Sequence, residues 1–174
     1  MNSTFRLVVC YLCLAILASP ASAELRIEIT RGVDNAVRVG VVPFEWRGKR
    51  KLPVEVHEVV SADLALSGRF VALPVSQMLS LPNESSEVLP RDWRMLGVEY
   101  LIIGYLEPND VGVRLNLELY DVLRRTVVTS RAIEGLPGDL RDMAHHVSDV
   151  VFEELTRIEG AFSTQIMYVT ALDG

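Results

Sequence analysis

The two cysteines of this chain, Cys10 and Cys13, both lie within its first 23 residues, and that stretch has the layout of an export signal. Arg6 supplies a positive start, residues 7–17 form an apolar run, Pro20 breaks it, and Ala21-Ser22-Ala23 offers small side chains for cleavage between Ala23 and Glu24. The run is short of the roughly 20 helical residues that cross a hydrocarbon core of about 30 Å, which argues against a membrane anchor. Leu12 precedes Cys13 in mid-run, which is the wrong residue and the wrong place for lipid attachment. A chain exported from Glu24 onward carries no thiol. It therefore has no disulfide, thiolate nucleophile or cysteine metal site, and must hold itself together with an ordinary apolar core in an oxidising compartment, a bacterial periplasm.

Composition allows that. The sequence has 174 residues, 49% hydrophobic and 23% charged, with a net charge of −6, and a domain of this size buries roughly 68–70% of its unfolded surface. The apolar content excludes a disordered acidic tail, and the charge excludes a basic nucleic-acid binder.

Residues 25–30 alternate apolar and polar with period two, as a half-buried strand does. Residues 37–44 are nearly continuous in apolar side chains up to Pro43, as in a strand buried on both faces. A polar loop follows at residues 47–51. Pro53 suits the first position of a helix running to Ser67, with Gly68 just past its end. On that helix Val56, Val59, Val60, Leu64 and Leu66 share one face, and Asp63 falls near its centre. A short strand is expected at residues 70–75, a connecting loop with one helical turn at 76–90, and a short helix at 91–96 closed by Gly97.

Residues 100–106, 113–119 and 126–133, separated by turns at Asn109-Asp110 and Arg124-Arg125, predict a three-stranded meander. Asp139 is the candidate N-cap of the longest helix, in which Leu140, Ala144, Val147, Val151, Leu155 and Ile158 form one stripe ending by Gly160. Residues 162–171 have strand composition without a following partner. The order predicts an α+β domain, a mixed and mostly antiparallel sheet with two main helices packed on one face.

Chemistry is sparse. The sequence holds no glycine-rich phosphate loop, no zincin motif and no nucleophile elbow, so it predicts a non-enzyme without cofactor or metal. Asp142, His146, Asp149 and Glu153 share a helix face and could in principle ligate a divalent ion. That face lies opposite the apolar stripe and reads first as the solvated one. The four cations of residues 47–51 read as a solvated loop, or as a contact for phosphate or an anionic surface. Asp63, if buried, needs an arginine partner or a backbone group to cap. Asn83-Glu84-Ser85 fits a glycosylation pattern of little meaning in a bacterial protein. The first strand of the exported chain, hinged by residues 32–35, belongs either to the domain's own sheet or to a partner's.

Several stretches, in order, resemble the N-terminal part of the TolB family, periplasmic components of the Tol–Pal cell-envelope system. They are Glu24-Leu25-Arg26-Ile27-Glu28-Ile29 with Gly32-Val33-Asp34, and Gly40-Val41-Val42-Pro43-Phe44-x-Trp46. Next come Val59-Val60-Ser61-Ala62-Asp63-Leu64 with Ser67-Gly68-Arg69-Phe70, and Trp93-x-x-Leu96-Gly97-Val98-Glu99-Tyr100-Leu101. The last is Glu153-Glu154-Leu155-Thr156 with Gly160-Ala161-Phe162-Ser163-Thr164-Gln165-Ile166. The resemblance implies a signal peptide at 1–23, a mobile partner-binding segment at 24–35, an α/β domain at 36–160 and, at 161–174, the start of a β-propeller that the chain does not contain. It further implies a periplasmic adaptor, peripheral to membranes, acting in outer-membrane integrity and in envelope constriction during cell division. Its partner would be the C-terminal domain of TolA, bound by Glu24, Leu25, Arg26, Ile27, Glu28, Ile29, Thr30, Arg31, Gly32, Val33, Asp34 and Asn35. Pal would be a partner only where the propeller is present. The alternative is a periplasmic domain binding a small ligand or an envelope polymer.

Overall fold

The computed structural model describes residues 36–164. The expected signal peptide, the strand expected at 25–30 and the terminal stretch from residue 165 onward lie outside the described residues. Nine elements are used below: β1 (Val37–Val41), β2 (Glu45–Trp46), α1 (Val56–Leu66), β3 (Phe70–Ala72), α2 (Pro90–Met95), β4 (Tyr100–Pro108), β5 (Val113–Asp121), β6 (Thr126–Gly135) and α3 (Leu140–Thr156). Short 3-10 turns at Val75–Gln77, Ser85–Glu87 and Pro137–Asp139 complete them.

The strands form one mixed sheet in the order β3-β1-β4-β5-β6, with β2 beside β4. β1 lies parallel to both β3 and β4, while β4–β5 and β5–β6 are long antiparallel ladders that make up most of the pairing. Parallel neighbours cannot be joined by a hairpin. The β1-to-β3 connection is α1, and the β3-to-β4 connection passes through α2. β1 thereby has a neighbour on each side, in keeping with its largely apolar sequence; Val39 and Val41 are buried.

The sheet's two faces are covered differently. α1 and α3 pack on one face, where Val56, Val60, Leu64, Leu140, Ala144, Val147 and Val151 meet Val39, Val41, Ile102, Leu115, Leu117 and Leu119. α2 and the loop before it cover the other, where Trp93 packs with Val42, Leu73, Val88, Val98, Leu101 and Ile103. Successive residues of β4 serve both cores, as period-two geometry requires. Gly40 makes the second core possible, since a Cβ there would lie 2.8 Å from the Leu101 side chain and 3.2 Å from the Trp93 ring.

Several expectations shift. Pro53 precedes α1 instead of opening it, because the N-cap is Glu55. Leu66, at 85% exposure, leaves the apolar face and Asp63 takes a place in it. The strand β3 is three residues long, ending before Leu73 and Pro74. At α3 the Asp139 side chain caps no helical N–H; its carboxylate accepts from the Leu136 N–H at 3.1 Å, closing the preceding turn.

α3 also ends at Thr156, with Arg157 in the left-handed region at φ 61 and Ile158 beyond the helix and exposed. Residues 162–164 form a turn instead of opening a strand. That turn is fastened to α3. Asp149 accepts hydrogen bonds from the Phe162 N–H at 2.7 Å, the Ser163 N–H at 3.2 Å and the Ser163 hydroxyl, and the Phe162 ring meets Phe152 edge-on at 5.6 Å.

Candidate functional site

The expected partner-binding segment, residues 24–35, lies outside the described residues, and so does the expected cleavage site between Ala23 and Glu24. The described chain starts at Ala36 and enters β1, whose first residue Val37 donates its N–H to the Arg69 carbonyl at 2.9 Å. The segment is thus joined directly to a central strand. Among the described residues the strands paired on one side only are β2, β3 and β6.

Asp63 is 7% exposed and is satisfied by neither an arginine nor a backbone group. Its Oδ2 lies 2.8 Å from His145 Nδ1 and accepts the Ser148 hydroxyl at 2.7 Å. The reason is tertiary. α3 packs along α1, and His145 and Ser148, three positions apart on one face of α3, both reach the same carboxylate oxygen. Ser148 Oγ also lies 3.1 Å from the Ala144 carbonyl. Aspartate, histidine and serine are the residue types of a nucleophilic triad, but the arrangement is not that of one. The serine donates to the carboxylate and not to the imidazole, so no base activates it. The cluster ties two helices together.

The expected cluster on α3, by contrast, comes apart. Asp142, His146 and Glu153 are exposed along α3, while Asp149 is engaged by Phe162 and Ser163. Among the described residues no three His, Cys, Asp or Glu side chains converge as a metal cage.

The cationic loop is more built than a solvated one. Arg47 pairs with Glu45 at 2.9 Å and with Glu84 at 2.8 Å, and its guanidinium lies 3.6 Å from the centre of the Tyr105 ring. The hydrogen bond to Glu84, then that to Glu45, raises the Arg47 pKa above its already high value. The Trp46 indole N–H donates to the Arg50 carbonyl at 2.5 Å. Gly48 lies so close against the indole that a Cβ would collide with it. Residues 47–50 therefore wrap around one aromatic side chain. With Lys51, Leu52, Pro108, Gly112, Val113 and Pro137 they line a concavity of about 550 Å³. Its walls come from three distant parts of the chain, so sequence reasoning missed it. The nearest signal was a tryptophan directly ahead of a glycine-containing cationic run.

Comparison with known proteins fits the fold. Residues 25–128 match the family model described as the TolB amino-terminal domain. The crystal structure of TolB from Acinetobacter baumannii superposes with a TM-score of 0.62 at 27% identity, over 75% of this chain and 31% of that one. Two helices on one face of this mixed sheet thus define an α+β domain of the TolB amino-terminal type. The chain is 40% identical over 171 residues to the Tol-Pal system protein TolB of Pseudomonas syringae pv. tomato, covering 98% of this chain and 39% of the relative. It is 44% identical over 168 residues to that of Marinomonas sp., covering 95% and 38%. The chain belongs to the TolB family of Tol–Pal system proteins, and it spans well under half the length of the relatives it matches.

Proposed function

We propose that this chain acts in the periplasm as an adaptor of the Tol–Pal system, binding the C-terminal domain of TolA through residues 24–35. In that role it supports outer-membrane integrity and envelope constriction during division. The observation that carries the reading is where the family match begins: at residue 25, so that it includes the segment ahead of β1. The mechanism is binding, not bond-making. A segment alternating Leu25, Ile27 and Ile29 with polar residues adds as a strand to an exposed sheet edge of TolA; backbone hydrogen bonds supply affinity and the three apolar side chains fix the register. Its attachment to β1, a strand with neighbours on both sides, lets the segment exchange without disturbing the sheet. Pal recognition belongs, by the family resemblance, to a propeller and not to these residues.

Calorimetric titration of residues 24–174 into the TolA C-terminal domain tests this, with a chain starting at residue 36 alongside. The expected result is binding by the longer chain only, with both chains unfolding at similar temperatures. Failure of well-folded 24–174 to bind, or equal binding by both, overturns the assignment to this segment. Collapse of the domain on removing residues 24–35 would place the strand in the core and end the exchange mechanism.

A further inference from the structure

The geometry points to the concavity beside Trp46 as a binding site for a monomeric amphiphilic anion, its charged group held by Lys49, Arg50 and Lys51 and its apolar part seated in the pocket. Three observations carry this. The first is the lining: Leu52, Pro108, Val113 and Pro137 are apolar, the two prolines have no N–H to offer, and the Trp46 N–H is already spent on the Arg50 carbonyl. A bare oxyanion finds little to bind inside, whereas a hydrocarbon or aromatic body finds a surface that costs it no polar desolvation. The volume, about 550 Å³, falls within the range of small-molecule sites.

The second observation is the charge on the rim. Elsewhere among the described residues Arg114 pairs with Glu134, Arg124 with Asp121, and Arg131 and Arg157 with Glu154, and nowhere else do three cations without an ion pair stand side by side in the sequence. In the loop itself Arg47 pairs twice. Lys49, Arg50 and Lys51 form no ion pair with any described residue, although the chain as a whole carries an excess of six negative charges. Three adjacent like charges repel one another, and an incoming anion relieves that repulsion. The headgroup stays at the exposed rim, so no charge has to be buried for the body to enter.

The third is the loop's construction around Trp46. Gly48 against the indole, the indole N–H on the Arg50 carbonyl and Arg47 anchored to Glu45 and Glu84 hold the backbone in place. The backbone that brings Lys49, Arg50 and Lys51 to the concavity is therefore fixed before binding, so less ordering entropy is lost. This site is independent of the TolA-binding segment and stands or falls separately from it.

The test uses residues 24–174 and dodecyl phosphate below its micellar concentration. Trp93 is 1% exposed in the other core, so a change in tryptophan emission reports Trp46. The expected result is saturable one-to-one binding with a shift in emission, weakened by added salt. Affinity should fall at least about tenfold in the combined K49Q/R50Q/K51Q variant, which keeps its melting temperature because all three side chains are exposed. Dodecyl maltoside is expected to bind far more weakly, and inorganic phosphate not to bind at all. Equal binding of the maltoside, or undiminished binding by the variant, would reduce the site to non-specific apolar contact and overturn the inference. So would the absence of saturable binding. Attraction to phosphatidylglycerol vesicles without binding of the monomer would replace the pocket by surface electrostatics, and equally overturns it.

Discussion

The two faces of the sheet are built on different plans. On one face two helices spread the load over many side chains, and a buried polar cluster pins the helices to each other. On the other, a helix of six residues and a loop cover half as many buried side chains, and one large residue, Trp93, holds the centre over Gly40. Distributed packing tolerates the loss of any one contact better than packing around a single side chain, because neighbours can relax into a small void but not into a large one.

The sharpest way to break this contrast is Trp93→Ala, expected to cost about 3–5 kcal/mol in urea unfolding. Leu64→Ala on the helical face is expected to cost about 2–4 kcal/mol, since α1 and α3 share its surroundings. If the order of these two losses is reversed, Trp93 is not the keystone of the thinner face.

Asp63→Ala comes next, at about 1–3 kcal/mol, because it removes the partner of His145 Nδ1 and leaves the buried Ser148 hydroxyl only the Ala144 carbonyl. A double-mutant cycle with Ser148→Ala sharpens the point: coupling near zero would mean that the cluster does not join the helices. The smallest effect expected is a gain. Arg157→Gly relieves a left-handed residue and stabilises by about 0.5 kcal/mol, less the weak exposed pair with Glu154; a loss in melting temperature would contradict this.

Where the sequence could be read directly, the physics was local. The meander from β4 to β6 followed from alternation and turn residues, which act over a few positions; the buried strand β1 followed from its nearly continuous apolar run, and the α3 stripe from helical spacing. The boundaries of α1 and α3 went astray because helix ends depend on what the flanking chain meets. Leu66 is left exposed on its side of α1. Asp149, at the expected solvated face of α3, instead captures the turn at residues 162–164.

The candidate sites divide along the same line. The α+β class, the TolB resemblance and the expectation of an export signal rest on residues close in sequence, and the amino-acid order alone supplied them. The partner of Asp63 and the concavity beside Trp46 were decided only by the tertiary structure. Asp63 meets His145 and Ser148 across 82 and 85 positions, and the pocket unites residues 46–52 with Pro108, Val113 and Pro137. Such contacts exist only once helices have packed and strands have paired, since no short-range periodicity encodes which distant side chain fills the space opposite.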